Sequence, residues 1–127
     1  MRKILLIDDE SGLVEELKIL LTENGFSVCS ASNGREGVSL FHVFLPDLVI
    51  TDILMPEQEG IETILELKKA SPDLRIIAIS GGGLVEATDY LKLALQVGAD
   101  ASLQKPFKFD ELLTCIDTFI PEVKSDL

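Results

Sequence analysis

Three short runs of the chain, ILLI at Ile4–Ile7, LVI at Leu48–Ile50 and IIAI at Ile76–Ile79, are apolar without a break. A strand with one wet face alternates apolar and polar residues, so an unbroken run demands cover on both sides. The intervening sequence has the means to provide it. After the first run, Leu13, Val14, Leu17, Leu20 and Leu21 recur at helical spacing from Ser11 up to Asn24-Gly25. The chain therefore opens as strand (Lys3 to Ile7) and then helix.

The same alternation continues to the end. Phe26 to Ala31 reads as a second strand, and Asn33 with Glu36 three residues on reads as a capping box opening a second helix, with Val38 and Phe41 inward. Leu48 to Thr51 is a third strand; Ile61, Ile64 and Leu65 mark a third helix, which lies after Pro56 and ends near Ser71-Pro72. Arg75 to Ile79 is a fourth strand, Gly81-Gly82-Gly83 a loop, and Leu84 to Val97 a fourth helix closed by Gly98. Ala101 to Gln104 makes a short fifth strand, followed by a helix whose inner face is Phe109, Leu112, Leu113, Ile116 and Ile120. Five strand–helix units predict an α/β fold, a doubly wound five-stranded parallel sheet with right-handed crossovers.

Composition sets the outer limits. A chain of 127 residues, 46% hydrophobic, buries one core and is too short for two. Its 22 acids against 11 Lys and Arg give a net charge of -11, which repels nucleic acids and anionic membranes. No apolar run approaches the ~20 residues of a membrane span. The apolar run after the basic start is shorter than the ~7 residues of a signal-peptide core, so a cytoplasmic protein is expected. Cys29 and Cys115 lie far apart, without a C-x-x-C pattern, and read as small buried apolar residues.

In an open α/β sheet, ligands bind beyond the carboxyl ends of the strands. Asp8-Asp9 follow the first strand, Asp52 the third, Ser80 the fourth and Lys105 the fifth. Three carboxylates in one cleft repel each other unless a cation or proton neutralises them. Hard oxygen ligands with room for water suit Mg²⁺ better than zinc: Asp9 and Asp52 as ligands, Asp8 directly or through water. Lys105 adds a point positive charge and Ser80 a hydroxyl donor, both useful to a phosphoryl group. The set matches phosphoryl transfer to a carboxylate, where positioning and charge neutralisation do most of the catalysis.

LLIDDE at Leu5–Glu10, DLVITDILMPEQEG with its D-x-x-M-P-x-x-x-G pattern, IIAIS ending at Ser80, and GADASLQKPF with Lys105-Pro106 together resemble the receiver (REC) domain of two-component response regulators. The resemblance covers essentially the whole chain, in order. It implies a flavodoxin-like, CheY-like (βα)5 fold with strand order 2-1-3-4-5, over residues 1–121, with 122–127 a tail or the start of a linker. It implies Asp52 as phosphoacceptor, Asp8 and Asp9 as the acidic pair holding Mg²⁺, and the backbone carbonyl of Leu54 as a further metal ligand. Ser80 would be the switch hydroxyl and Lys105 the lysine that pairs with the phosphoryl group, across a cis Lys105-Pro106 bond. The implied donor is a phosphohistidine on a sensor histidine kinase or histidine phosphotransfer protein. The implied output is a downstream protein partner on the face of the fourth helix, fifth strand and fifth helix. Such a phosphoprotein is not an enzyme in the metabolic sense: it catalyses only its own phosphorylation and dephosphorylation.

Several positions depart from the family. Ser102 stands where members usually carry a Tyr or Phe, so the output change is expected to be smaller or differently routed. Leu54 and Gly82 occupy positions that tune phosphoryl lifetime, and neither can activate a water, which predicts slow self-dephosphorylation. The three glycines predict a mobile entry to the fourth helix; a turn needing positive φ explains one of them equally. On that helix, Leu84, Leu91, Ala94 and Leu95 suit the core, and Tyr90, Leu93 and Val97 form a second stripe. That stripe is either a partner or homodimer surface, or a wider buried face. His42 reads as a surface or packed side chain rather than a phosphoryl relay.

Two rival functions stay open at this point. An aspartyl-nucleophile phosphatase needs a second acid two residues after the nucleophile, where this chain has Leu54. A pseudo-receiver would keep the fold as an interaction module without phosphorylation. No stretch reads as an output domain, so the chain is expected to be a stand-alone regulator or a receiver of a hybrid kinase or transcription factor.

Overall fold

The computed structural model describes residues 1–53, 59–81 and 85–122, with side chains at 59 and 85–88 excepted. Among the described residues, ten elements alternate: β1 (Lys3–Ile7), α1 (Ser11–Glu23), β2 (Ser27–Ala31), α2 (Gly34–Phe44), β3 (Leu48–Asp52), α3 (Glu59–Ala70), β4 (Arg75–Ser80), α4 (Val85–Val97), β5 (Ala101–Gln104) and α5 (Phe109–Phe119). All strand pairs are parallel, in the order β2-β1-β3-β4-β5. β3 and β4 each run one residue further than the apolar signal, because Asp52 and Ser80 still pair, with Ile79 and Gln104. Both side chains thus sit on the last rung of the sheet rather than on a loop.

The unbroken apolar runs have the predicted cause. Ile4, Leu6, Leu48, Ile50, Ile77 and Ile79 point to one face, where they meet Leu17 and Leu21 of α1 and Leu112 and Ile116 of α5. Leu5, Ile7, Val49, Ile76 and Ala78 point to the other, under α2, α3 and α4. Each of these Ile, Leu and Val side chains contributes roughly 1.5–3 kcal/mol by leaving water. The sheet is held as a rigid floor between two cores.

Helix starts and faces show where periodicity succeeded and where it did not. Asn33 Oδ1 accepts from the Glu36 N–H at 2.8 Å, as the capping box requires, but the Glu36 carboxylate reaches back to the Ser32 hydroxyl at 3.1 Å rather than to Asn33. Leu65, expected inward on α3, is 49% exposed, and Leu67 takes the buried place. Leu95 on α4 is likewise 43% exposed beside buried Leu91 and Ala94. In both helices the exposed leucine lies one residue, about 100° of turn, past an inward one. The second stripe of α4 divides: Tyr90 and Val97 pack against the core, and Leu93 is exposed. The wider buried face thus accounts for most of that stripe. Leu84 and the glycines Gly82 and Gly83 lie outside the described residues.

Cys29 and Cys115 are half-buried rather than buried, packed at the margins of the two cores. Among the described residues, no helix is long and apolar enough to cross a membrane.

Candidate functional site

The carboxyl edge of the sheet gathers the predicted residues. Asp8 and Asp52 are each only 5% exposed, fixed at the ends of β1 and β3, and Asp9 beside them is exposed. One carboxylate oxygen from each of Asp8, Asp9 and Asp52 can lie within 4.8 Å of the others. Neighbouring strands are ~4.8 Å apart, so β1 beside β3 is what brings acids more than 40 positions apart into one cluster.

Lys105 closes the site from the far edge. Its chain path leaves β5 with the Lys105 N–H donating to the Ser80 carbonyl at 2.7 Å, and the Lys105-Pro106 bond is cis. The aliphatic stem passes over Gly81, and the ammonium reaches Asp8 Oδ2 at 2.9 Å, Glu10 Oε2 at 3.1 Å and Asp52 Oδ2 at 3.3 Å. From β5 to β3 is two strand spacings, about 10 Å, so a long side chain starting past the strand end is needed to span it. Ser80 is fully buried, and its hydroxyl donates to the Gly81 carbonyl at 3.3 Å.

Charges in this pocket shift one another. Burial raises the Asp8 pKa, helped by the nearby Asp52 charge, and outweighs the Glu10 N–H (2.9 Å to Asp8 Oδ1) and Lys105 pulling it down. Burial by itself would lower the Lys105 pKa, but the hydrogen bonds to Asp8 and Glu10 and the charges of Asp52 and Asp8 raise it. Lys105 is therefore held as a cation by a surplus of acid. That surplus also fits Mg²⁺: three hard oxygen donors converge, with Asp9 exposed on the solvent side where a metal would keep waters.

The structure brings Asp8, Asp9, Asp52 and Lys105 together, and places Ser80 on the adjoining strand end with its hydroxyl turned to its own backbone. Leu54 and Gly82 lie outside the described residues. Ser102 is half-buried opposite Ala78 in the β4–β5 register. His42 is exposed on α2, edge-on to Phe41 and away from this edge.

Two participants were missed. Glu10 pairs with Lys105, and the only hint was a third consecutive acid at a helix start. Gly60, the last residue of the D-x-x-M-P-x-x-x-G pattern, lies against the backbone of Asp52 and Ile53: a Cβ there would meet the Asp52 carbonyl oxygen at 2.6 Å. The pattern contained it, but only the packing of α3 on β3 gives the reason.

Comparison with known proteins agrees with this geometry. The family model for the response regulator receiver domain matches residues 4–117. Response regulator MprA of Mycolicibacterium vanbaalenii is 36% identical over 87% of this chain and 47% of its own length. Chemotaxis protein CheY of Bacillus subtilis is 36% identical over 91% of this chain and 94% of its own. A solved response regulator receiver domain protein from Clostridium thermocellum superimposes with a TM-score of 0.86 at 36% identity, covering 94% of both chains. The chain spans about half the length of several curated relatives it matches, 47% of MprA and 51% of the probable C4-dicarboxylate response regulator DctR of Bacillus subtilis. Matched over nearly its whole length, with the five-stranded fold and the acidic cluster in place, this chain belongs to the receiver domains of two-component response regulators.

Proposed function

We propose that Asp52 accepts a phosphoryl group from a phosphohistidine on a sensor histidine kinase or histidine phosphotransfer protein, and that the aspartyl phosphate changes the domain's affinity for a downstream partner. The observation that carries this reading is the convergence of buried Asp52 with the Lys105 ammonium, 3.3 Å away, beside the Asp8–Asp9 pair. Mg²⁺ held by Asp8, Asp9, Asp52 and the carbonyl of Leu54 would neutralise phosphoryl oxygens when bound.

The chain's own residues do the rest. An Asp52 carboxylate oxygen attacks phosphorus, the donor's P–N bond breaks, and the imidazole leaves with the electron pair. Lys105 exchanges its Asp52 contact for a phosphoryl oxygen, and the Ser80 hydroxyl turns from the Gly81 carbonyl to donate to another. Positioning does most of this work, because the sheet already holds Asp52 and Lys105 within hydrogen-bonding reach. The domain catalyses only its own phosphorylation and its own dephosphorylation, the latter slowly, since neither Leu54 nor Gly82 can activate a water.

The output partner is read onto α4, β5 and α5, where exposed Leu93 and Leu95 offer apolar contact to a protein or to a second copy of the chain. A net charge of -11 argues against direct nucleic-acid contact and fits a cytoplasmic protein partner. Residues 1–121 would form the receiver and 122–127 a tail or linker start.

Acetyl phosphate or beryllofluoride with Mg²⁺, applied to the wild-type chain and to Asp52→Asn, tests the reading. Acetyl phosphate should phosphorylate the wild type alone, with a lifetime longer than seconds, and beryllofluoride should bind the wild type alone as a phosphoryl mimic. No incorporation from small donors or from a kinase would overturn it in favour of an interaction module.

A further inference from the structure

Among the described residues, Glu10 is the one partner of Lys105 that stands outside the trio of Asp8, Asp9 and Asp52. It occupies the N-cap of α1, where Ser, Thr, Asp or Asn would satisfy a free N–H, and its side chain makes no capping bond. The carboxylate turns to Lys105 at 3.1 Å although its side chain is 62% exposed. Its backbone is tied to the same pocket by the bond from the Glu10 N–H to Asp8 Oδ1. The three ammonium protons of Lys105 are thus matched by three carboxylates, Asp8, Glu10 and Asp52.

From this geometry we infer that Glu10 is a positioning residue that tethers Lys105 and competes with the phosphoryl group for it. The inference rests on the phosphoryl-acceptor reading of Asp52. A metal held by Asp8 and Asp52 would take oxygens that also face the ammonium, whereas Glu10 belongs only to the Lys105 set. Glu10 is then the anion from which an incoming phosphoryl oxygen must win Lys105. The tether slows phosphorylation and shortens the life of the aspartyl phosphate, whose Lys105 contact it opposes.

The test uses the full chain with Glu10→Gln, which keeps length and removes charge, and Glu10→Asp, which keeps charge and shortens the reach. Asp9→Asn removes the same charge from a residue that makes no hydrogen bond or ion pair to Lys105 among the described residues. Without metal, the exchange protection of the Lys105 ammonium protons by NMR should fall about two- to five-fold in both Glu10 variants, the range of an exposed ion pair. It should hold in Asp9→Asn. At saturating Mg²⁺, acetyl phosphate should phosphorylate both Glu10 variants about two- to five-fold faster than wild type, the P–O bond to acetate breaking as Asp52 attacks. Equal protection of Lys105 in wild type and Glu10→Gln would overturn the tether. A Glu10→Asp rate equal to wild type beside a faster Glu10→Gln would overturn it too, by assigning the effect to repulsion of the donor. If no variant is phosphorylated the acceptor reading itself fails, while the metal-free NMR result still decides whether Glu10 holds Lys105.

Discussion

Replacing Gly60 by alanine tests how tightly the site depends on backbone packing. A Cβ at position 60 would lie 2.6 Å from the Asp52 carbonyl oxygen and 2.9 Å from the Ile53 carbonyl carbon. Ile53 Cα is nearer still, and carbon contacts become favourable only near 3.5 Å, so α3 and the end of β3 have to separate by about 1 Å or more. No rotamer relieves the clash, because the obstacles are main-chain atoms of Asp52 and Ile53. Overpacking of this kind costs about 1–3 kcal/mol. Better helix propensity of alanine returns up to about 1 kcal/mol, less near a helix start. A net loss of about 1–2 kcal/mol should lower Tm by roughly 4–8 °C for a domain of this size.

Because part of that separation falls on the backbone of Asp52, the proposed acceptor, phosphorylation by acetyl phosphate should fall by about 10- to 100-fold, the scale of an ångström's misplacement. Gly37 provides the contrast. A Cβ there would meet Ile7 Cγ1 at 2.8 Å, a side-chain obstacle. Gly37→Ala should therefore be partly rescued by Ile7→Val, which removes the Cδ1 methyl, whereas no side-chain change near Ile53 should rescue Gly60→Ala. Thermal unfolding and a phosphorylation time course read both effects. A Gly60→Ala protein with unchanged or higher Tm and a rate within two-fold of wild type would refute the reasoning.

Other expectations follow from single contacts. Asp100 accepts the Ile76 N–H at 2.8 Å and pairs with Arg75 at 3.1 Å, so Asp100→Ala should lower urea-unfolding stability by about 1–3 kcal/mol, chiefly by stranding a half-buried N–H. Ile77→Ala, a truncation at a fully buried strand position, should cost about 2–5 kcal/mol in the same assay. Burial, and then the Glu111 charge, raise the Cys115 thiol above its ordinary value of 9.0. The folded state thus resists forming the thiolate, so stability should decline as pH rises past that value, and Cys115→Ser should flatten the decline. Mg²⁺ at 100 times its Kd should stabilise the wild type by about 2.7 kcal/mol, and Asp9→Asn should lose most of that shift at the same concentration.

Much of this is legible in the sequence. The runs at Ile4–Ile7 and Ile76–Ile79 announced strands buried on both faces, and their terminal acids and serine announced an occupied carboxyl edge. Leu65 and Leu95 misled because an apolar residue one step past the inward stripe looks the same in one dimension whether or not a neighbour covers it. Glu10 was passed over because an acid at a helix start has an adequate local explanation, and its actual partner lies 95 positions away.

The order of apolar runs, helical stripes and chain breaks determined the alternating α/β architecture, because burial of a strand or helix face leaves its period in the residues themselves. Which strand ends become neighbours is a different matter. The placing of β1 beside β3, the span of Lys105 to Asp8, Glu10 and Asp52, and the approach of Gly60 to the backbone of Asp52 were decided only by the tertiary structure. Distances of three ångströms between residues far apart in the chain depend on sheet order and helix packing, which no local pattern encodes.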